Sequence, residues 1–335
     1  MSSSEEAAPE SWATVQERGA YQLMRLMFLA LRVLRRPLLI PIVRLVTSYF
    51  FLFGHSARAA SLDYLRRVSL AEPLTELRPD WRMSFRHFSA FGDAILDKFD
   101  AWAGRLPLTS VSFENYADVR RVVDAGKGGL IIGTHLGNLE VCRALAGINN
   151  RVKLNVLAHT RHAANINRLL GLAGAGGFKL LQVTELDMAL AFMLGDRIAA
   201  GEWVVIAGDR VPVHGGRTVQ VELLGELAPL PIGPYVLAAL LDCPVYLVFC
   251  LRRGGRNHMY FEQFAERVAW SRRERDATIT ELARRFAKRL EHYMKLEPLQ
   301  WFNFYPFWKP ASSAAIVPGA QRQRQGGIDF PGKPQ

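Results

Sequence analysis

Apolar positions along this chain fall into three regimes, and each predicts a different kind of element. From Tyr21 to Phe53 they run almost unbroken as Leu, Met, Phe, Val and Ile, interrupted by Arg25, Arg32, Arg35, Arg36 and Arg44. Arg25, Arg32 and Arg36 recur at i, i+7 and i+11, one face of a helix. After residue 60 the period is helical up to about Trp102, with Phe85, Phe88 and Phe91 spaced as core positions. Short β-prone runs then alternate with helix-length segments: Leu130–Thr134, Leu154–His159, Trp203–Ala207, Val219–Leu224, Val245–Leu251 and Met259–Phe264. Strands separated by helices predict an α/β fold, a single domain with a central mixed β-sheet flanked by helices. A further helix is predicted over Thr278–Met294, with Ile279, Leu282, Phe286, Leu290 and Tyr293 inward and Arg284, Arg285, Lys288 and Arg289 outward.

The same pattern divides the chain. Residues 1–11 are small and acidic and predict disorder, without the basic start and short apolar core of a cleaved signal peptide. Residues 12–58 form an attachment segment, 59–310 the main domain, and 311–335, rich in Ala, Gly, Gln, Arg and Pro, a disordered tail. The window 37–57 has about the ~20 residues a spanning helix needs. Its eleven strongly apolar residues between 38 and 53 favour insertion by roughly 5 kcal/mol, and a central Arg44 opposes it by about 2.5–3.5 kcal/mol. Spanning is therefore marginal, and a basic amphipathic helix lying in an anionic interface fits as well.

Composition narrows the class. A net charge of +11 admits nucleic acid, an anionic membrane or an acidic protein. No zinc-finger spacing or aromatic RNA-binding signature accompanies it, so no nucleic-acid partner is expected. Cys142, Cys243 and Cys250 sit in apolar runs and read as buried reduced thiols facing an intracellular compartment. No CxxC or His/Cys cluster predicts a metal site.

The candidate chemistry lies at Gly128–Glu140. The apolar run Leu130-Ile131-Ile132 ends at Gly133-Thr134, His135 follows, then Gly137-Asn138, and Glu140 opens a predicted helix. Strand, tight turn and helix start form the carboxyl edge where α/β enzymes place polar groups. His135 as base and Glu140 as its orienter is one reading; a capped helix with a hydrogen-bonded His is the other. Spacing alone does not choose, because His292/Glu297 repeats it inside a polar helical stretch. Only the first site has a Gly-rich break before the helix, without which two positions five apart diverge by about 140°.

Residues 126–140, Gly-Lys-Gly-Gly-Leu-Ile-Ile-Gly-Thr-His-Leu-Gly-Asn-Leu-Glu, resemble the catalytic block of the bacterial lipid A late acyltransferases. These belong to the lysophospholipid acyltransferase superfamily, and the branch beside aryl polyene or polyketide-like lipid pathways is the nearest in flavour. Trp12, Glu17-Arg-Gly19, His159-Thr-Arg-His162, Ala207-Gly-Asp-Arg210, Pro231-Ile-Gly-Pro-Tyr235 and Gln300–Trp308 agree in order, so the likeness covers roughly residues 12–310. It implies transfer of an acyl group from an acyl carrier protein or acyl-CoA thioester to a lipid-linked hydroxyl, without metal or bound cofactor. It places the protein at the cytoplasmic face of a bacterial inner membrane, with membrane lipid and acyl carrier protein as partners. Arg161 is implied to bind an anionic group or support the oxyanion, and Asp209 to bind acceptor or support the site. The loop from His135 to Arg161 is shorter than in the lipid A enzymes.

No Gly-x-Ser-x-Gly elbow supplies a nucleophile, so the expected route is direct attack by the acceptor hydroxyl, with the N–H groups of Gly137 and Asn138 as candidate oxyanion donors. A thioesterase or lipase using the same base, and an inactive membrane-binding scaffold, are the rival classes.

Overall fold

A computed structural model describes residues 36–72, 77–102, 105, 111–141, 152–158, 178–182, 188–211, 216–308 and 315–316. Cys142, His159, Arg161, His162 and the arginines before Arg36 lie outside the described residues, as do the expectations attached to them.

Three helices precede the sheet: α1 (Arg36–Phe53), α2 (His55–Ala71) and α3 (Trp81–Trp102). Helix α1 packs along α3 and buries only Leu39, Thr47 and Phe51. Phe51 meets Phe85 and Phe88 of α3 edge-on, with ring centroids 5.2 and 5.3 Å away. Its two arginines are not loose. Arg36 pairs with Asp97 at 2.7 Å and Asp100 at 2.9 Å, and Arg44 with Asp93 at 3.1 Å. The remaining face leaves Leu38, Leu45, Phe50 and Phe53 in the open, Leu45 73 % exposed. This helix is long and apolar enough to cross a membrane by length and composition.

A seven-stranded mixed sheet follows, in the order β1-β9-β8-β2-β5-β3-β4. Its strands are β1 (Val111–Glu114), β2 (Gly129–Gly133), β3 (Leu154–Ala158), β4 (Phe178–Gln182), β5 (Trp203–Ala207), β8 (Val245–Arg253) and β9 (Arg256–Ala265). The neighbours are parallel except β8 and β9. The central strands β2, β5 and β8 are continuous apolar runs because helices or loops cover both faces. Short helices α4 (Tyr116–Asp124), α5 (Met188–Ala199) and α6 (Gly233–Leu241) lie between strands. The long α7 (Arg275–Leu296) buries Ile279, Leu282, Phe286, Leu290 and Tyr293, the apolar line that its sequence period predicts.

One predicted strand sits elsewhere. Residues 219–224 fall largely in β6 (Thr218–Leu223), which belongs to a separate three-stranded sheet with β7 (Glu226–Pro231) and β10 (Ala315–Ile316). Its apolar and polar residues alternate, the signature of a strand with one wet face, unlike the unbroken central runs. Ala315–Ile316, in the stretch expected to be a tail, pairs with Thr218 and Val219.

Candidate active site

Strands β2 and β5 lie side by side and parallel, with Gly133 opposite Ala207. The chain leaves both at the same edge, so the residues two positions further on, His135 and Asp209, arrive together. The His135 backbone N–H donates to Asp209 Oδ2 at 2.8 Å, and the ring Nδ1 lies 2.8 Å from Oδ1. A carboxylate only accepts, so Nδ1 carries the hydrogen and Nε2 presents its lone pair. Among the described residues Nε2 has no hydrogen-bond partner. Gly208 makes the approach possible: a Cβ there would come within 2.6 Å of Ile132 Cγ2 and 2.7 Å of the Phe286 ring.

Asp209 is fully buried and richly served. Its Oδ2 also accepts from the Trp301 indole N–H at 3.0 Å and lies 3.5 Å from Asn303 Nδ2. Burial opposes its charge, but His135, with its side-chain and backbone hydrogen bonds, and neighbouring Arg210 outweigh that and hold its carboxyl below the usual range. His135 keeps a third of its side chain exposed. Desolvation of the ring nonetheless lowers its pKa below the ordinary imidazole value; Asp209 pulls the other way, and the nearby cations Arg210 and Lys98 reinforce the lowering. A neutral imidazole at neutral pH, locked in one tautomer, is the form a general base needs.

Several expected roles change. Glu140 was the expected orienter of His135, but Asp209 takes Nδ1, and Glu140 instead pairs with Lys98 Nζ of α3 at 3.1 Å. The cause is local: Asn138 Oδ1 accepts the Glu140 N–H at 3.2 Å and starts a helical turn there, sending the carboxylate toward α3. The N–H groups of Gly137 and Asn138, expected as oxyanion donors, are consumed by Gln300 O at 2.8 Å and Cys250 O at 2.7 Å. Asn138 Nδ2 is likewise used, on Ala94 O. Arg161 lies outside the described residues. Asp209 was expected near the site, and the structure brings it to His135.

Three contributors were given no role from the sequence. Trp301 and Asn303 come from the aromatic segment after α7, and Lys98 from the C-terminal part of α3. Arg210 donates to Asn303 Oδ1 at 2.9 Å and Phe302 O at 3.1 Å, standing beside the dyad rather than facing bulk water. Among the described residues no three His, Cys, Asp or Glu side chains cluster as metal ligands.

The family model of the bacterial lipid A biosynthesis acyltransferases matches residues 98–310. The chain belongs to that family. The match to the lipid A acyltransferase family begins at Lys98 and takes in His135, Glu140, Asp209, Arg210 and Trp301, while α1 and α2 precede it. The chain is also 24 % identical over 186 residues to a phosphatidylinositol mannoside acyltransferase of Mycolicibacterium smegmatis, covering 56 % of this chain. It spans 58 % of that relative's length.

Proposed function

We propose that the protein is an O-acyltransferase that moves an acyl group from a carrier-protein or coenzyme A thioester to a hydroxyl of a membrane lipid or glycolipid, with His135 as general base. The observation that carries this reading is the buried Asp209 carboxylate on His135 Nδ1, which leaves Nε2 free at the surface of the site. Family membership and the acyltransferase relative give its chemical class.

Nε2 removes the acceptor hydroxyl proton as the oxygen attacks the thioester carbonyl carbon. Asp209 stabilises the imidazolium that forms, the part a triad carboxylate plays in hydrolases. Developing negative charge on the carbonyl oxygen meets the positive field of Lys98 and Arg210, the two cations close enough to lower the His135 pKa. The attack forms the new C–O bond; collapse of the oxyanion restores the C=O, breaks the C–S bond and returns the proton from the imidazolium to the thiolate. No acyl-enzyme is formed. The exposed apolar face of α1 fits attachment to a bilayer surface, with the site working at the cytoplasmic face of an inner membrane.

The test is transfer of label. Wild type and His135→Ala are incubated in detergent with radiolabelled long-chain acyl carrier protein or acyl-CoA and total membrane lipid, and label is followed by thin-layer chromatography. Label should reach a lipid with wild type and fall roughly 10²- to 10⁴-fold with His135→Ala. Label released only as free fatty acid would make the protein a hydrolase, and equal transfer by both proteins would remove His135 from the mechanism.

A further inference from the structure

The base is held from a second direction, by a buried histidine far from it in sequence. His87, on α3, is fully buried. Its Nε2 lies 2.9 Å from the Trp301 carbonyl oxygen, and its Nδ1 lies 3.0 Å from Ser61 Oγ of α2. Ser84 Oγ in turn donates to Ser61 Oγ at 2.9 Å. A carbonyl only accepts, so Nε2 must carry the hydrogen; Nδ1 of the neutral ring then accepts, and the Ser61 hydroxyl donates to it. Every polarity in the chain is fixed: Ser84 to Ser61, Ser61 to His87, His87 to the Trp301 carbonyl.

The Trp301–Phe302 peptide unit carries the constraint onward. In a trans peptide the C=O and N–H point in opposite directions. Here the C=O accepts from His87, the side-chain donor on it, and from the Asn303 N–H at 3.0 Å, while the N–H of Phe302 donates to the carbonyl oxygen of His135 at 3.0 Å. The indole of the same tryptophan donates to Asp209. Leu136 bridges to Trp301, and the Gly137 N–H donates to Gln300 O, so the segment lies against residues 135–137 like a short strand. Turning the 301–302 peptide would disturb both members of the dyad together.

We infer that His87 is a positioning residue for the His135–Asp209 pair: its Nε2–H fixes the plane of the Trp301–Phe302 peptide, which holds His135 by its carbonyl and Asp209 through the indole. The inference rests on His135 being the base. It also ties that base to the α2–α3 layer, because both partners in the hydrogen-bonded chain behind His87 come from those helices. Burial lowers the His87 pKa to about 4, against the raising effect of the Trp301 carbonyl, so the ring is neutral and the chain intact at working pH.

Two variants of the whole chain test this. His87→Leu removes the donor, and His87→Gln places an amide N–H near the Nε2 position. Each is measured for transfer from long-chain acyl-CoA to total membrane lipid, per folded molecule, and for titration of the His135 ring by nitrogen NMR. His87→Leu should cut kcat roughly 10- to 100-fold with little change in KM. The His135 titration should move further down in pH as Asp209 loses its alignment, and His87→Gln should recover much of both effects. In a His135→Ala background the leucine substitution should add nothing. Normal kcat and an unmoved His135 titration in folded His87→Leu would overturn the inference while leaving the base in place. Full activity of His135→Ala would overturn the base, and the inference with it.

Discussion

The chain contains His-x4-Glu twice, and the two copies end in opposite circumstances. His292 lies exposed on α7, edge-on to the Tyr293 ring at 4.9 Å, and Glu297 caps that helix and pairs with Arg253 at 3.1 Å. His135 stands at the mouth of two parallel strands with its carbonyl, N–H and Nδ1 all engaged. In neither copy does the glutamate hold the histidine. What separates them is an acid from another strand: Asp209 lies under His135, and His292 has no counterpart among the described residues. The spacing is therefore a poor guide to the pair, and the sheet register is a good one.

The largest test of that difference is Asp209→Asn. The amide can keep the shape but prefers the wrong imidazole tautomer, so transfer should fall roughly 10²- to 10⁴-fold with only modest loss of stability. A smaller loss than that of Glu140→Gln would break the comparison. Next is the turn that only the first copy has. Gly137 has φ +75, and a Cβ on it would sit 2.0 Å from Cys250 O. Gly137→Ala should cost about 2–4 kcal/mol in urea unfolding.

The pH dependence comes third. His135 has a lowered pKa, so the acid limb of transfer should fall below about pH 6.5, the ordinary imidazole value. His135 and His87 both bind protons less readily folded than unfolded, so the unfolded chain takes up more on acidification and stability declines below about pH 6.5. The His87 share should be fully lost near pH 4, as denaturant midpoints from pH 7.5 down to 4 would show. A midpoint that rises on acidification would contradict the sign.

Smaller effects finish the series. Glu140→Gln acts on Lys98 rather than on Nδ1, so it should lower kcat by roughly tenfold to a hundredfold and, with the Lys98 charge less compensated, move the acid limb slightly to lower pH. His292→Ala should leave the rate unchanged and the unfolding free energy within about 0.5 kcal/mol of wild type.

The sequence made legible whatever depended on neighbours in the chain. Leu130-Ile131-Ile132, Trp203–Ala207 and Val245–Cys250 declare themselves because a strand buried on both faces must be apolar throughout, and α7 because its period repeats over about four turns. The Gly-rich turn after a strand singles out His135 for the same local reason. Asp209 was visible as an acid at a strand edge, but its partner was not, since hydrogen bonding between β2 and β5 depends on strands 74 residues apart in chain position. Glu140 is near His135 in sequence but turns to Lys98 in space, so spacing in the chain did not reveal the contact on Nδ1. Trp301 stood out only as part of a family-like segment and His87 not at all: an indole among aromatics and a histidine on a helix look the same whether they fill a core or steady a site.

The register of Gly133 against Ala207, with the dyad two residues beyond each, has a consequence in time. Residue 135 leaves the ribosome long before residue 209, and Trp301 comes later still. A nascent chain therefore has an imidazole without a carboxylate, then both without the indole that steadies them. A slip of one residue between β2 and β5 would turn Asp209 to the opposite face and leave nothing to mark a misfolded chain as active. The His135–Asp209 pair thus forms late, as a report that the middle of the sheet has closed in register.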